Sequence, residues 1–155
     1  MRITLFIAST MLSAQCLLAA DISTNFWDTY SERVSSLHGY VVEVNEYCIK
    51  KEVKDLDLRN YAVIAAVDLL EAHLKLKATP TTPLSEVKKA VKVHVYLAVI
   101  SERTTAVTSR ILAFSKMTAD QKQELIDKID RANKLITKLT ADVAEYIHNT
   151  AELGL

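Results

Sequence analysis

The sequence predicts an all-α protein, an up-down-up-down four-helix bundle that follows a cleaved signal peptide. Apolar residues recur at steps of three and four along several long segments, the spacing that lines one face of a helix. Two glycines and two prolines in 155 residues are too few for a turn-rich all-β fold or a glycine-loop nucleotide site, both of which need residues tolerant of positive φ. Half of the residues are hydrophobic and a quarter are charged, which suits one folded domain.

The chain opens with Met1-Arg2 and an apolar run from Ile3 to Ala20, and Asp21 follows directly. This is the pattern of a secretory signal peptide, with small residues favouring cleavage after Ala19 or Ala20. Ser9, Thr10, Ser13 and Gln15 dilute a run slightly short of the roughly 20 apolar residues that span a bilayer, so no stable transmembrane anchor is expected. Gln15 stands before Cys16, where a lipoprotein signal needs a small residue. The domain division is therefore 1–20 as signal peptide and 21–155 as a single helical bundle, secreted or extracellular, with cell-wall or surface association open.

Losing residues 1–20 removes Arg2 from the 19 basic residues and none of the 19 acidic ones, a formal charge of −1. With a pI near 6.9 there is no basic excess for binding phosphates, and no nucleic-acid partner is expected. Cys48 is then the lone cysteine, so stability has to come from a core and not from an intramolecular disulfide. Its spacing faces it inward, although intermolecular pairing or a reactive thiol is the sharper alternative.

The first helix is predicted over about 23–53 from the stripe Trp27, Tyr30, Val34, Leu37, Val41, Val44, Cys48, with Gly39 a local weak point. Lys54-Asp55-Leu56-Asp57 interrupts it, and Asp55 or Asp57 is expected to cap the next helix. The second helix, near 58–77, contains seven successive apolar residues, Tyr61 to Val67. A helix apolar around most of its circumference is either the most buried element of a bundle or borders something apolar that is not protein. The linker 78–83 ends in Thr82-Pro83, a cap and first-turn pair for the third helix over 83–115. Its stripe is Ala90, Val93, Leu97, Ile100, Thr104, Val107, Ile111, Phe114. Val91, Val93, Val95 and Leu97 also alternate as a strand would, but a single strand among helices cannot satisfy its backbone. Thr118 and Gln121 form a capping box for the fourth helix, whose stripe is Leu125, Ile129, Ala132, Ile136, Leu139, Val143, Tyr146.

Chemistry-bearing motifs are scarce. Glu145 and His148 have the Glu-x-x-His spacing of di-iron bundles, which need two such motifs and two further glutamates, and Glu71-Ala72-His73 has the wrong spacing for a second. His38, His73 and His94 fall on three different helices. No haem-attachment, P-loop or serine-hydrolase signature occurs, and paired acids such as Asp55/Asp57 and Asp127/Asp130 fit helix ends and solvated faces. Neither a cofactor nor a metal is expected, and the chain is not expected to be an enzyme. Lys50-Lys51-Lys54 and Lys88-Lys89-Lys92 fit solvated faces, though either could touch anionic lipid headgroups.

The layout is similar to that of the fungal hydrophobic-surface-binding and cell-wall galactomannoprotein family. The likeness lies in the signal peptide, the opening helix from Asp21, a helix ending in Lys77-Ala78-Thr79, Leu84-Ser85 starting a long helix, and Ile126-Asp127-Lys128-Ile129-Asp130 in the closing one. It implies a non-catalytic bundle whose apolar interior holds fatty acyl chains or that adheres to hydrophobic surfaces. Lone Cys48, the higher lysine content and the lack of one helical segment depart from the family.

The functional expectation is a secreted non-catalytic binder of lipids or hydrophobic surfaces. The small residues Ala90, Thr104 and Ala132 on otherwise bulky stripes suggest room for a ligand, with ordinary tight packing of small against large residues the favoured account for any single one of them. The expected apolar lining is Tyr61, Ile64, Val67, Val93, Leu97, Ile100, Thr104, Ile129, Ala132 and Ile136. The alternative is a secreted protein-interaction module, an effector or inhibitor working through an exposed helix face, and the heptad stripes also suit homodimerisation.

Overall fold

In a computed structural model of the chain, residues 2–76 and 82–153 are described, with side chains for 25–76 and 82–152. The expected leader, residues 1–20, lies outside the described side chains. Four helices follow in order: α1 (Arg2–Lys50), α2 (Lys54–Leu74), α3 (Pro83–Ala113) and α4 (Ala119–Leu153). Each packs on its neighbours in sequence, and α4 closes back on α1. The result is the all-α four-helix bundle that the stripes predict. Among the described residues no helix is long and apolar enough to cross a membrane.

The stripes become the core. All seven named positions of α1 and all seven of α4 are buried, as are those of α3 from Ala90 to Ile111, and together they form one cluster with residues of α2. Burial of this continuous apolar seam stabilises long helices that would be marginal alone. Residues 91–97 are helical, so the alternating valines lie on opposite sides of α3, with Val93 buried and Val91 and Val95 exposed.

The helix ends show how short connections are made. Val53 N–H donates to Cys48 O at 2.9 Å and Glu52 N–H to Ile49 O at 3.0 Å, the paired bonds of a Schellman motif. Its left-handed position is held by Glu52, with φ 57°, where glycine is the usual occupant. This stops α1 three residues before the expected boundary and starts α2 four residues early. Asp55 and Asp57 consequently fall in the first turn of α2 and not at its cap, which is Val53 and makes no side-chain bond. There they still complement the positive end of the helix dipole. At α3, Thr82 and Ser85 form the capping box, with Pro83 in the first turn. At α4, Gln121 N–H donates to Thr118 Oγ1 at 3.2 Å and Thr118 N–H to Gln121 Oε1 at 3.0 Å, as the sequence indicates.

Candidate functional site

The ten residues expected to line an interior site do not share one environment. Val67, Val93, Leu97, Ile100, Thr104, Ile129, Ala132 and Ile136 are all buried, 3% exposed or less. Ile64 is partly buried against the same core. Thr104 donates its hydroxyl to Ile100 O at 2.6 Å, satisfying itself within its own helix. The small residues Ala90, Thr104 and Ala132 are buried with the bulky members of their stripes. Tyr61 alone of the ten is on the surface, 51% exposed.

Tyr61 marks a second apolar face of α2. Leu56, Val63, Val67, Leu70 and Leu74 are buried on one side, together with Asn60, whose Nδ2 donates to Val41 O at 2.7 Å. On the other side Leu58, Tyr61, Ala65, Leu69 and Ala72 are all exposed, and Leu76 continues the line just past the helix end. At 100° per residue these positions fall within an arc of about 80°, in a stripe about 21 Å long from Leu58 to Ala72. Lys54, a helical turn before Leu58, is the one charged position of α2 that falls in this arc. Both flanks are fixed. His38 of α1 lies 3.2 Å from Asp68, and Arg103 of α3 donates to Ala62 O at 2.6 Å. The run Tyr61–Val67 thus serves two sides, with Val63, Ala66 and Val67 buried toward the core and Tyr61 and Ala65 facing outward.

Among the described residues, two depressions lie on the outside of the bundle. One, of about 340 Å³, is lined by Asn25, Phe26, Thr29, Tyr30 and Arg33. The other, of about 420 Å³, lies where the end of α2 meets the start of α3, lined by His73, Val87, Lys88, Lys89, Val91 and Lys92. Neither is bordered by the ten expected residues. Burial holds His73 below the usual histidine pKa, and its Nε2 is buried without a hydrogen-bond partner.

Other polar groups bond within the bundle. Buried Glu86 accepts from Trp27 Nε1 at 2.8 Å and from Tyr146 Oη at 3.1 Å through one carboxylate oxygen. Phe26 stacks on Tyr146 with ring centroids 4.0 Å apart. Glu43 meets Lys128 and Arg131, both at 2.8 Å. His148 pairs with Glu152 one turn on, both strongly exposed, and so faces away from any bundle-interior metal site. Among the described residues no group of three or more His, Cys, Asp or Glu side chains converges to hold a metal. Cys48 is fully buried, and desolvation, with Asp57 adding to it, pushes its thiol pKa up to about 11. A thiol in that setting is a poor nucleophile at neutral pH.

Sequence reasoning did not single out the outer apolar face of α2, although its signal was present. Apolar residues at 58, 61, 65, 69, 72 and 76 repeat at steps of 3 and 4 out of phase with the buried set. No family model, curated protein or solved structure matches the chain.

Proposed function

We propose that the protein is a non-catalytic binder of lipids or hydrophobic surfaces, acting through the outside of its bundle and not through an enclosed chamber. The observation that carries this reading is the outer stripe of α2, apolar from Leu58 to Ala72 on the side opposite the core. Burying two leucines of that stripe supplies roughly 1.5–3 kcal/mol each, enough for measurable adsorption. The leader-like pattern of residues 1–20 supports a place outside the cell. The layout shared with hydrophobic-surface-binding proteins agrees with adhesion, though adhesion here would use a helix exterior.

The test is adsorption of the full chain to alkyl-coated beads and to neutral phospholipid vesicles, comparing wild type with a Leu58→Glu/Leu69→Glu double variant. Adsorption should fall at least tenfold while helical content and the unfolding midpoint stay close to wild type. Unchanged adsorption would remove the stripe from consideration. The 3-and-4 spacing of the stripe favours a second reading, an interaction module that receives a partner helix or a second copy. That reading gains if the variant loses a protein partner or a dimer while wild type ignores both beads and vesicles.

A further inference from the structure

Between Glu71 and Glu102 the sequence holds five lysines and a single acid, Glu86. Glu86 is buried and turned into the bundle by Trp27 and Tyr146. A chain with no net charge therefore carries a local positive surface where α2 ends and α3 begins. Lys89 belongs to the fold: its ammonium sits 4.6 Å over the Trp27 ring and reaches Leu74 O at 3.4 Å. Lys75, Lys88 and Lys92 are exposed, and among the described residues none of them joins an ion pair.

These charges are mixed with apolar groups. Leu84, Lys88, Val91, Lys92 and Val95 fall within about 100° of arc on α3, opposite buried Ala90, Val93 and Leu97, and the three apolar members are 46–63% exposed. Leu76 lies at the same end of the bundle, 61% exposed. A nucleic acid would be matched by the lysines alone, and a neutral apolar surface by the leucines and valines alone. Apolar residues interleaved with lysines match both parts of an anionic bilayer surface, the acyl boundary and the charged headgroups above it, with the lysine stems lying along apolar surface while their ammonium groups reach outward.

We propose that this end of the α2–α3 hairpin docks on an anionic phospholipid bilayer, with Lys75, Lys88 and Lys92 at headgroup level and Leu76, Leu84 and Val91 in the acyl boundary. The proposal rests on the surface-binding reading above and adds the chemistry of the surface. Co-sedimentation of the full chain with phosphatidylcholine vesicles, with and without phosphatidylserine, tests it. Phosphatidylserine should raise the bound fraction at physiological salt, and high salt should remove the gain. A Lys75→Gln/Lys88→Gln/Lys92→Gln variant should lose about fivefold in partition for each lysine removed and keep its adsorption to alkyl beads. A Lys116→Gln/Lys134→Gln/Lys138→Gln variant, altered at and along α4, should bind as wild type does. Equal partition onto both vesicle types, or a hairpin variant that binds like wild type, overturns the headgroup proposal and leaves adsorption through Leu58 and Leu69 standing. Saturable uptake of a soluble fatty acid without vesicle binding overturns the bilayer as the partner. Failure to bind vesicles and beads alike overturns both readings.

Discussion

Along α4 every third or fourth residue from Leu125 to Tyr146 is apolar and buried, while the positions between are largely Asp, Glu, Lys, Arg, Thr and Asn. Along α2 the same spacing occurs twice, once toward the core and once toward solvent. None of the exposed large hydrophobic residues described lies on α4, whereas Leu58, Tyr61 and Leu69 stand on α2. Every apolar residue of the α4 stripe is thus accounted for by folding, and about half of those on α2 are not. Scattered exposed apolar side chains are ordinary on protein surfaces, but an aligned stripe is a marker of interaction. The difference separates residues that hold the bundle together from residues available for something outside it.

Equal truncations on the two helices give the largest expected contrast. Leu139 is fully buried on α4, and Leu139→Ala removes its contacts and leaves a cavity, at a cost of about 2–5 kcal/mol. Leu69→Ala on the outer face of α2 should change stability by no more than about 0.5 kcal/mol. Urea unfolding followed by circular dichroism reads both. A Leu69→Ala variant destabilised as much as Leu139→Ala would mean that the outer stripe serves the fold, and the contrast between the helices would collapse.

Much of this was legible in the sequence, and the part that was not has a physical reason. The stripes of α1, α3 and α4 each run without a break at steps of three and four, so periodicity identifies what is buried and the bundle follows. Thr82 and Thr118 were legible as caps because hydroxyl capping is local. Asp55 and Asp57 were misplaced because the boundary is set by the Schellman turn at Glu52, whose left-handed φ no residue type there announces. On α2 two apolar sets overlap in sequence from Tyr61 to Val67, and periodicity alone does not say which faces inward. The neighbours decide: Asn60 reaches Val41 of α1 and so turns Leu58 and Tyr61 outward. The same limit applies to the small stripe residues, since what surrounds Ala132 or Thr104 is supplied by other helices.

The reactivity of Cys48 offers an intermediate test, since it reports whether the α1–α2 seam stays closed. With its pKa at about 11, against 9.0 for the unburied thiol, native Cys48 holds about a hundredfold less thiolate near neutral pH than the unfolded chain does. Burial adds steric protection. Iodoacetamide labelling should be slow in the native state and fast in urea, with the native rate rising as pH approaches the raised pKa. Linkage has a matching sign: the neutral thiol is favoured in the fold, so its contribution is fully present below about pH 9 and is lost as pH rises through about 11. Cys48→Ala should flatten that part of the stability profile. Fast labelling at neutral pH would show that α2 lifts from α1 under native conditions, and the outer stripe would then be one face of a moving helix.

The smallest effect sharpens the comparison most, because it changes the stability of the α1–α2 connection without touching either apolar face of α2. Glu52 occupies the left-handed position of the Schellman turn, a conformation that costs an L-residue roughly 1–2 kcal/mol and glycine little. Glycine also has more freedom to lose on folding, so Glu52→Gly should yield a net stabilisation of about 1 kcal/mol or slightly less. Gly39→Ala is an independent route to a similar gain. A Cβ at Gly39 meets nothing within 4 Å, and alanine is favoured over glycine within a helix by about 1 kcal/mol. Calorimetry should show both variants melting a few degrees higher, with adsorption to alkyl beads unchanged. If adsorption instead falls in step with the gain in stability, the surface-active species is a partly opened chain exposing the core stripes, and the outer face of α2 is not the site. Constant adsorption across the two more stable variants, combined with its loss in Leu58→Glu/Leu69→Glu, would place surface activity on the folded bundle and on that one helix face.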